Sequence, residues 1–600
     1  MKKLVSYQIT DYLERRGIKH IFGLCGHTVI GFLDALKNSN LEYISVRHEQ
    51  IASHAADGYA RATKKASVLL THLGPGLTNA TTGVANAALD NIPMVVIAGD
   101  VPSYYYGKHP HQEVNLHGDA TQMDIYKPFV KRAWRVDRPE AMPEILDKAF
   151  RLAESGRPGP VLISVPMDIF SREIDTSYFE RTYKDSHTTV RPDLPKETAS
   201  EIAKKLIEAK NPIIHVGGQV IMTEASKELT ELIEFLDIPV TRSLMGQGAI
   251  PDTHPLHVGM TGFWGTDFVN GFSSNADVLL GVGTRFAEAD SSSWYDGITF
   301  DSKNTEFMQI DLEPAEIGRN FPVSIGAVAD PKKALKKILE AAKDIKPEGI
   351  DRQEVRDKIT KYKKEFKASN KDISEDTRFP MTPQKILKDV REVFPEDGII
   401  VTDVGWNKNG VGQQFDITKP GTIMHPGGLA TMGFGPAAIL GVKLAAPDKK
   451  VITLVGDGGF GTNPSVIAAA VEQDIPVVWV IMNNNAFGTI AGLESSHYEH
   501  SFGTIFKNKA GEKYNPEWAD IAKAYGIKSK KITKAEDFKE AFKEAIESNE
   551  PYLLDVPMEN IPVPTDGIWN INDIYTPKDN VVDGKFMGGE IVKSKHKATE

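Results

Sequence analysis

Cysteine is nearly absent. The 600 residues contain only Cys25, so no disulfide can form within the chain, which excludes a stapled secreted scaffold and fits a reducing compartment. Long apolar runs are missing too: none approaches the ~20 residues that span a bilayer. Nor is there an excess of basic charge. Lys and Arg together number 70 against 81 Asp and Glu, a net charge of −11, with the two signs mixed along the chain. That excludes the clustered basic surface that nucleic acid requires. The opening stretch MKKLVSYQITDYLERRGIKH lacks the apolar core of a signal peptide and predicts an amphipathic helix. These absences predict a cytoplasmic protein with neither a membrane nor a nucleic acid as partner. They do not exclude a phosphorylated ligand, because a metal ion and backbone N–H groups can hold phosphate without a basic surface.

What is present is a rhythm. Short apolar runs such as MVVIAGD (94–100), VITLVGDGG (451–459) and VVWVIMNNN (477–485) each end in Gly, Asp or Asn and are followed by helical periodicity. Unbroken apolar runs suit strands buried on both faces, and their alternation with helices predicts parallel sheets. Polar stretches around 172–198 and 344–382 divide the chain. The expected fold is α/β, with three doubly wound domains at 1–185, 190–345 and 375–560, and an extended arm at 561–600.

The most specific chemical signal is in the third block. Gly456, Asp457, Gly458 and Gly459 end one predicted strand, and Asn484 ends the next. A strand end delivers Asp457 into the crevice where ligands bind in open α/β sheets. Gly458 and Gly459 let backbone N–H groups approach a phosphate, and the helical stretch PSVIAAAVEQ can point its positive end at the same anion. A carboxylate and an amide oxygen are hard ligands that suit Mg²⁺. Either motif alone is an ordinary turn; on consecutive strands they predict a metal–phosphate site.

This segment resembles the diphosphate-binding motif of thiamine diphosphate-dependent enzymes, and motifs in the same order through roughly residues 1–560 resemble the acetolactate synthase-like branch. The resemblance implies that Asp457, Asn484 and the backbone carbonyl of Ala486 hold Mg²⁺. It implies that Glu49, in the segment RHEQ (47–50), hydrogen-bonds the cofactor's aminopyrimidine and promotes loss of the thiazolium C2 proton. The turn HLGPGLTN (72–79) places His72 beside the reacting carbon, while Gln112 faces the thiazolium side and His27 the substrate. His111 and His117 are further histidines near that pocket; no histidine spacing fits zinc. In LATMGFG (429–435), Met432 is the wedge that bends the cofactor and Ala430 offers it a carbonyl. Gly405 matches the family's strand-end glycine, but the side chains after it, Trp406 and Asn407, do not match.

In the middle block the family holds a non-reacting FAD, an ADP moiety or nothing; Gly217, Gly218, Gly283, Arg285 and Asp311 are the matching positions. The implied activity is decarboxylation of pyruvate and transfer of its two-carbon unit to a second 2-oxo acid. The Gln-Trp pair that follows the metal-binding Asn in acetolactate synthases is absent here. His27, His72 and Gln112 also resemble the polar pocket of cyclohexane-1,2-dione hydrolase, which leaves cleavage of a 1,2-diketone as an alternative. A non-catalytic cofactor-binding protein is a third, and it predicts loss of the activating acid that Glu49 supplies. The family's active site lies between the first block of one subunit and the third block of another, which implies a homodimer or homotetramer acting on a small carbonyl substrate.

Overall fold

A computed structural model describes residues 1–114, 121–181, 189–563 and 565–571. Three six-stranded sheets, each parallel throughout and flanked by helices, give the expected α/β architecture. Across the first sheet the strands are Glu42–Ser45, His20–Gly23, Ser67–Thr71, Met94–Asp100, Pro160–Pro166 and Ala133–Arg135. The third sheet repeats that strand order with Ile423–Met424, Ile399–Thr402, Val451–Gly456, Val478–Asn483, Tyr552–Pro557 and Lys528–Lys531. The middle sheet is wound differently: His257–Met260, Val240–Arg242, Pro212–Val216, Val278–Val282, Glu306–Asp311 and Ile325–Val328. Numbered along the chain, the middle strands lie in the doubly wound order 3-2-1-4-5-6 associated with dinucleotide binding.

Each sheet has a point where successive crossovers turn to opposite sides, and a crevice opens there beyond the strand ends. In the first sheet it lies between His20–Gly23 and Ser67–Thr71, with His27 and His72 just beyond. In the third it lies between Ile399–Thr402 and Val451–Gly456, with Gly405 and Asp457 beyond. In the middle sheet it lies between Pro212–Val216 and Val278–Val282, with Gly217, Gly218 and Gly283 beyond.

One apolar core joins the outer blocks: Ile51, Ala52, Ala55 and Leu77 cluster with Phe434, Ala438, Leu440 and Trp479. The helices Glu49–Thr63 and Phe434–Ala445 cross there at backbone distance. A Cβ at Gly58 would run into the Ala438 carbonyl, and one at Gly441 into that of Ala55. The middle block has its own core, from Leu194 to Ala342.

Two local expectations come out differently, and the stretch 344–382 is partly helical as expected. Residues Lys2–Leu4 form a strand paired antiparallel with Glu173–Asp175, and the amphipathic helix begins only at Val5. The helix expected over 464–473 forms at Val466–Glu472, but a single turn, Asp457–Phe460, precedes it, so it is this turn that follows the strand end directly. The polar stretch 344–382 contains the helix Gln353–Ser369, whose Tyr362 stacks on Phe268 of the middle block at 3.9 Å. Beyond 561, residues 565–571 lie along the middle block, with Trp569 stacked on Phe263 at 5.0 Å. Residues 572–600 of the expected arm, like Asn115 and His117, lie outside the described residues.

Candidate active site

The third-block group assembles at the end of Val451–Gly456. Asp457 is buried; its Oδ2 accepts a hydrogen bond from Asn515 Nδ2 at 2.6 Å, and its Oδ1 is buried with no partner among the described residues. Burial pushes this carboxyl up to about 6. Asn515 Nδ2 also donates to Asn483 Oδ1 at 2.8 Å, which ties the ends of two neighbouring strands together. Asn484 Oδ1 accepts from the Ala486 N–H at 3.2 Å, across a bend made by Asn485 in a left-handed conformation (φ 56°). A buried carboxylate oxygen without a partner, an amide oxygen and a nearby backbone carbonyl form a hard donor set, and this set fits Mg²⁺.

The glycines around it are required by close packing. A Cβ at Gly458 would sit 2.7 Å from the Phe487 ring, and one at Gly459 2.5 Å from Asp403 Oδ2. At Gly456 a Cβ would meet nothing nearer than Asn407 Oδ1 at 3.8 Å, so the strand end is open on that side. Gly405, at φ 103°, adopts a conformation that side chains rarely allow. After it, Asn407 Nδ2 donates to the Leu454 carbonyl at 3.0 Å and so braces the same strand end. Ala430 is also left-handed (φ 51°), and Met432 beside it is 38% exposed. The loop carrying both ends at Gly433, whose N–H donates to buried Asp403 at 2.9 Å.

The first-block group is equally compact. Glu49 opens the helix Glu49–Thr63, is buried, and its Oε2 accepts from Asn79 Nδ2 at 3.0 Å. Gly76 lies between Glu49 and His72: a Cβ there would be 3.3 Å from Glu49 Oε1 and 3.0 Å from His72 Cβ. His72 Nε2 lies 2.9 Å from Gln112 Oε1, an acceptor only, so Nε2 carries the proton. Nδ1 then accepts from the Thr28 hydroxyl at 2.7 Å. The His27 ring lies 4.6 Å from that of His72, and His111 stacks on its other side at 6.2 Å. Partial burial, and then the charges of His72 and His111, hold His27 below the ordinary histidine range.

Gly217, Gly218, Gly283, Arg285 and Asp311 line an open cavity of about 1720 Å³ whose walls also include Arg61 and Asp90 of the first block and His425 of the third. Asp311 Oδ1 accepts from Gln219 Nε2 at 2.7 Å and from the Glu313 N–H at 2.9 Å, while Oδ2 is buried without a partner. Burial raises its carboxyl to about 6. A cavity of this size with an unpaired acceptor at a strand end fits a nucleotide ribose.

Comparison with known proteins identifies the family. Residues 4–123 match the thiamine pyrophosphate enzyme N-terminal TPP binding domain, 199–338 the central domain, and 403–556 the C-terminal TPP binding domain. The chain is 36% identical over 568 residues to a probable acetolactate synthase large subunit of Methanocaldococcus jannaschii, covering 92% of each chain. It is 35% identical to the acetolactate synthase large subunit of Corynebacterium glutamicum, covering 91% of this chain and 85% of that one. It is 32% identical to the acetolactate synthase isozyme 3 large subunit of Escherichia coli, covering 91% and 93%. The chain belongs to the acetolactate synthase large-subunit family of thiamine pyrophosphate enzymes.

As a thiamine pyrophosphate enzyme, it carries two clusters that sit in the two domains the family uses to bind its cofactor. These matches favour neither the diketone hydrolase nor the non-catalytic alternative. Four polar residues that hold these clusters went unnoticed in the sequence: Asn515 on Asp457, Thr28 on His72, Asp403 on Gly433, and Asp90, which accepts from the N–H groups of Gly427 and Gly428. The nearest signal was Asn-Pro at 515–516, a turn pair that carries no metal signature by itself.

Proposed function

We propose that this enzyme uses Mg²⁺ and thiamine diphosphate to convert two molecules of pyruvate and one proton into acetolactate and CO₂. Bound thiamine diphosphate supplies an electron sink for the decarboxylated two-carbon unit. Asp457, Asn484 and the Ala486 carbonyl would hold the metal, and the N–H groups around Gly458 and Gly459 would bind the diphosphate. Glu49, pinned by Asn79, would share a proton with the aminopyrimidine ring nitrogen. In the tautomer set by Gln112, and with Thr28 donating to Nδ1, His72 would present its Nε2–H to a substrate oxygen that displaces Gln112 Oε1. His27 and Gln112 complete a polar wall for the acceptor. The observation that carries this proposal is the buried oxygen of Asp457 that has no hydrogen-bond partner among the described residues. The test follows pyruvate by NMR with both cofactors present; bound cofactor with no acetolactate and no CO₂ would overturn it.

The active unit is a homodimer or homotetramer in the cytoplasm. Two features support a second copy. Among the described residues, Glu49 hydrogen-bonds only within the first block, to Asn79. Around the third-block cluster Leu429 (39%), Met432 (38%), Phe487 (36%) and Ile490 (53%) are exposed, an apolar rim for a partner to cover. Sedimentation of the cofactor-saturated protein is expected to show at least a dimer, and an active monomer would refute this.

The middle cavity takes FAD as a bound, non-reacting cofactor. Its volume suits a whole dinucleotide, and Asp311 would receive the ribose hydroxyls. Asp311→Asn tests this by pH. Folding raises the Asp311 carboxyl from its ordinary 3.8 to about 6, so ionisation costs stability as pH climbs through that window, and the cost is complete above it. The variant, which keeps an oxygen for Gln219 and Glu313, is expected to stabilise the cofactor-free protein by about 1–3 kcal/mol at neutral pH, a gain that shrinks as pH falls toward 5. Flavin released on denaturation should decline in the variant.

A further inference from the structure

The loop carrying Ala430 and Met432 is gripped at its start by the first block of its own chain. Asp90, its side chain fully buried, accepts from the Gly427 N–H at 2.9 Å and from the Gly428 N–H at 2.6 Å. It also accepts from Arg61 Nη2 at 2.7 Å. Arg61 donates through Nη1 to the carbonyl of His425 at 2.8 Å, and through Nε to Asp57 at 2.6 Å. Its guanidinium lies 4.8 Å from the Phe434 ring, and Asn86 completes Asp57's partners at 2.8 Å. Lys408 Nζ adds a bond to the Pro426 carbonyl at 3.3 Å. At the far end, Asp403 holds the Gly433 N–H. The left-handed Ala430 and the exposed Met432 therefore hang between two buried carboxylates, one from each outer block. The glycines permit this approach: a Cβ at Gly427 would lie 2.8 Å from Asp90 Oδ1, and one at Gly428 2.9 Å from Leu89.

We infer that Asp90 and Arg61 are positioning residues that hold loop 427–433 in the shape needed to grip the aminopyrimidine end of thiamine diphosphate. They act on the loop and never touch the cofactor. Arg61 lies twelve residues after Glu49 on one helix, Glu49–Thr63. That helix thus carries the activating acid at its first turn and the clasp at its last. Asp90 is the more direct of the two, because a carboxylate can accept from both glycine N–H groups and from a guanidinium together. An Asn there must turn a donor toward one of them. The inference rests on the assignment of Ala430 and Met432 to the cofactor.

The test uses the full chain with amide hydrogen exchange and two titrations. In the wild type, thiamine diphosphate with Mg²⁺ should protect residues 429–433. In Asp90→Asn, exchange over 427–433 should quicken with 456–459 unchanged. Affinity for thiamine diphosphate should fall about tenfold, the usual scale for one charge-assisted bond. Affinity for Mg²⁺ with inorganic pyrophosphate, which meets only the Asp457 side, should stay within about twofold. Arg61→Lys, which keeps the charge beside Asp90 but loses the fork, is the second variant should Asp90→Asn not fold, and a smaller change in the same direction is expected. No protection in the wild type would overturn the cofactor assignment of the loop, and the inference with it. Protection in the wild type, with equal losses for thiamine diphosphate and pyrophosphate or with unchanged loop exchange in a folded variant, would overturn the inference alone.

Discussion

Glu49→Gln is expected to lower kcat for pyruvate turnover about a thousandfold, within the range that a positioned acid–base group supplies. The substitution preserves length and an oxygen for Asn79 Nδ2, so the first turn of the helix Glu49–Thr63 and the packing against Gly76 have no reason to move. What is lost is the ability to share a proton with a ring nitrogen. Affinity for thiamine diphosphate and Mg²⁺ should change little, because the proposed diphosphate and metal contacts come from the third block. NMR of pyruvate consumption alongside a cofactor titration separates the two effects. Activity within tenfold of the wild type would show that Glu49 is an ordinary helix-start carboxylate, favoured there by the helix dipole alone.

Asp457→Asn should act with opposite signs on the two forms of the protein. In the cofactor-free form Asp457 Oδ1 is buried with no hydrogen-bond partner, which is costly for a carboxylate. A neutral amide that keeps one oxygen for Asn515 removes the buried charge and leaves an unpaired NH2, the smaller of the two costs, so the melting temperature of the cofactor-free variant should be equal to or above that of the wild type. With Mg²⁺ and thiamine diphosphate added, the wild type gains stability through binding and the variant should gain far less. Its apparent affinity for the pair should drop by about a hundredfold or more, since a direct metal ligand outweighs the outer contacts whose loss costs 10–100-fold. Thermal melts with and without the cofactors read both signs. A variant that is destabilised in both forms would make Asp457 a structural residue.

How much of this was visible in the sequence depends on distance along the chain. The strand ends and their glycines were legible because an apolar run, a glycine and a carboxylate sit side by side, and a parallel sheet must place them at one edge. Glu49, His72, Asp457 and Asn484 each fall at such an edge. The residues that orient them were not legible. Asn515 reaches Asp457 from 58 positions away, Thr28 reaches His72 from 44, and Asp90 reaches Gly427 from 337. A lone Asn, Thr or Asp has no local pattern that announces a distant partner. The same limit hid the strand Lys2–Leu4, three residues whose pairing is decided by Glu173–Asp175 rather than by their own periodicity. The equal strand order of the outer sheets was likewise invisible, because topology leaves no trace in composition.

The helix crossing at Gly58 and Gly441 has a bearing on how such a chain can change over generations. Because the two backbones touch there, and because one apolar core runs through both outer blocks, these blocks must be inherited as a matched pair. A recombination event that replaced one and kept the other would set foreign side chains against a gap with room only for hydrogen. The middle block has a core of its own, but its seam with the third block is just as close at one point, where a Cβ at Gly412 would lie 2.5 Å from Leu244 and Arg242 donates to the Gly412 carbonyl at 2.8 Å. It can change its cargo over generations only while it keeps that seam.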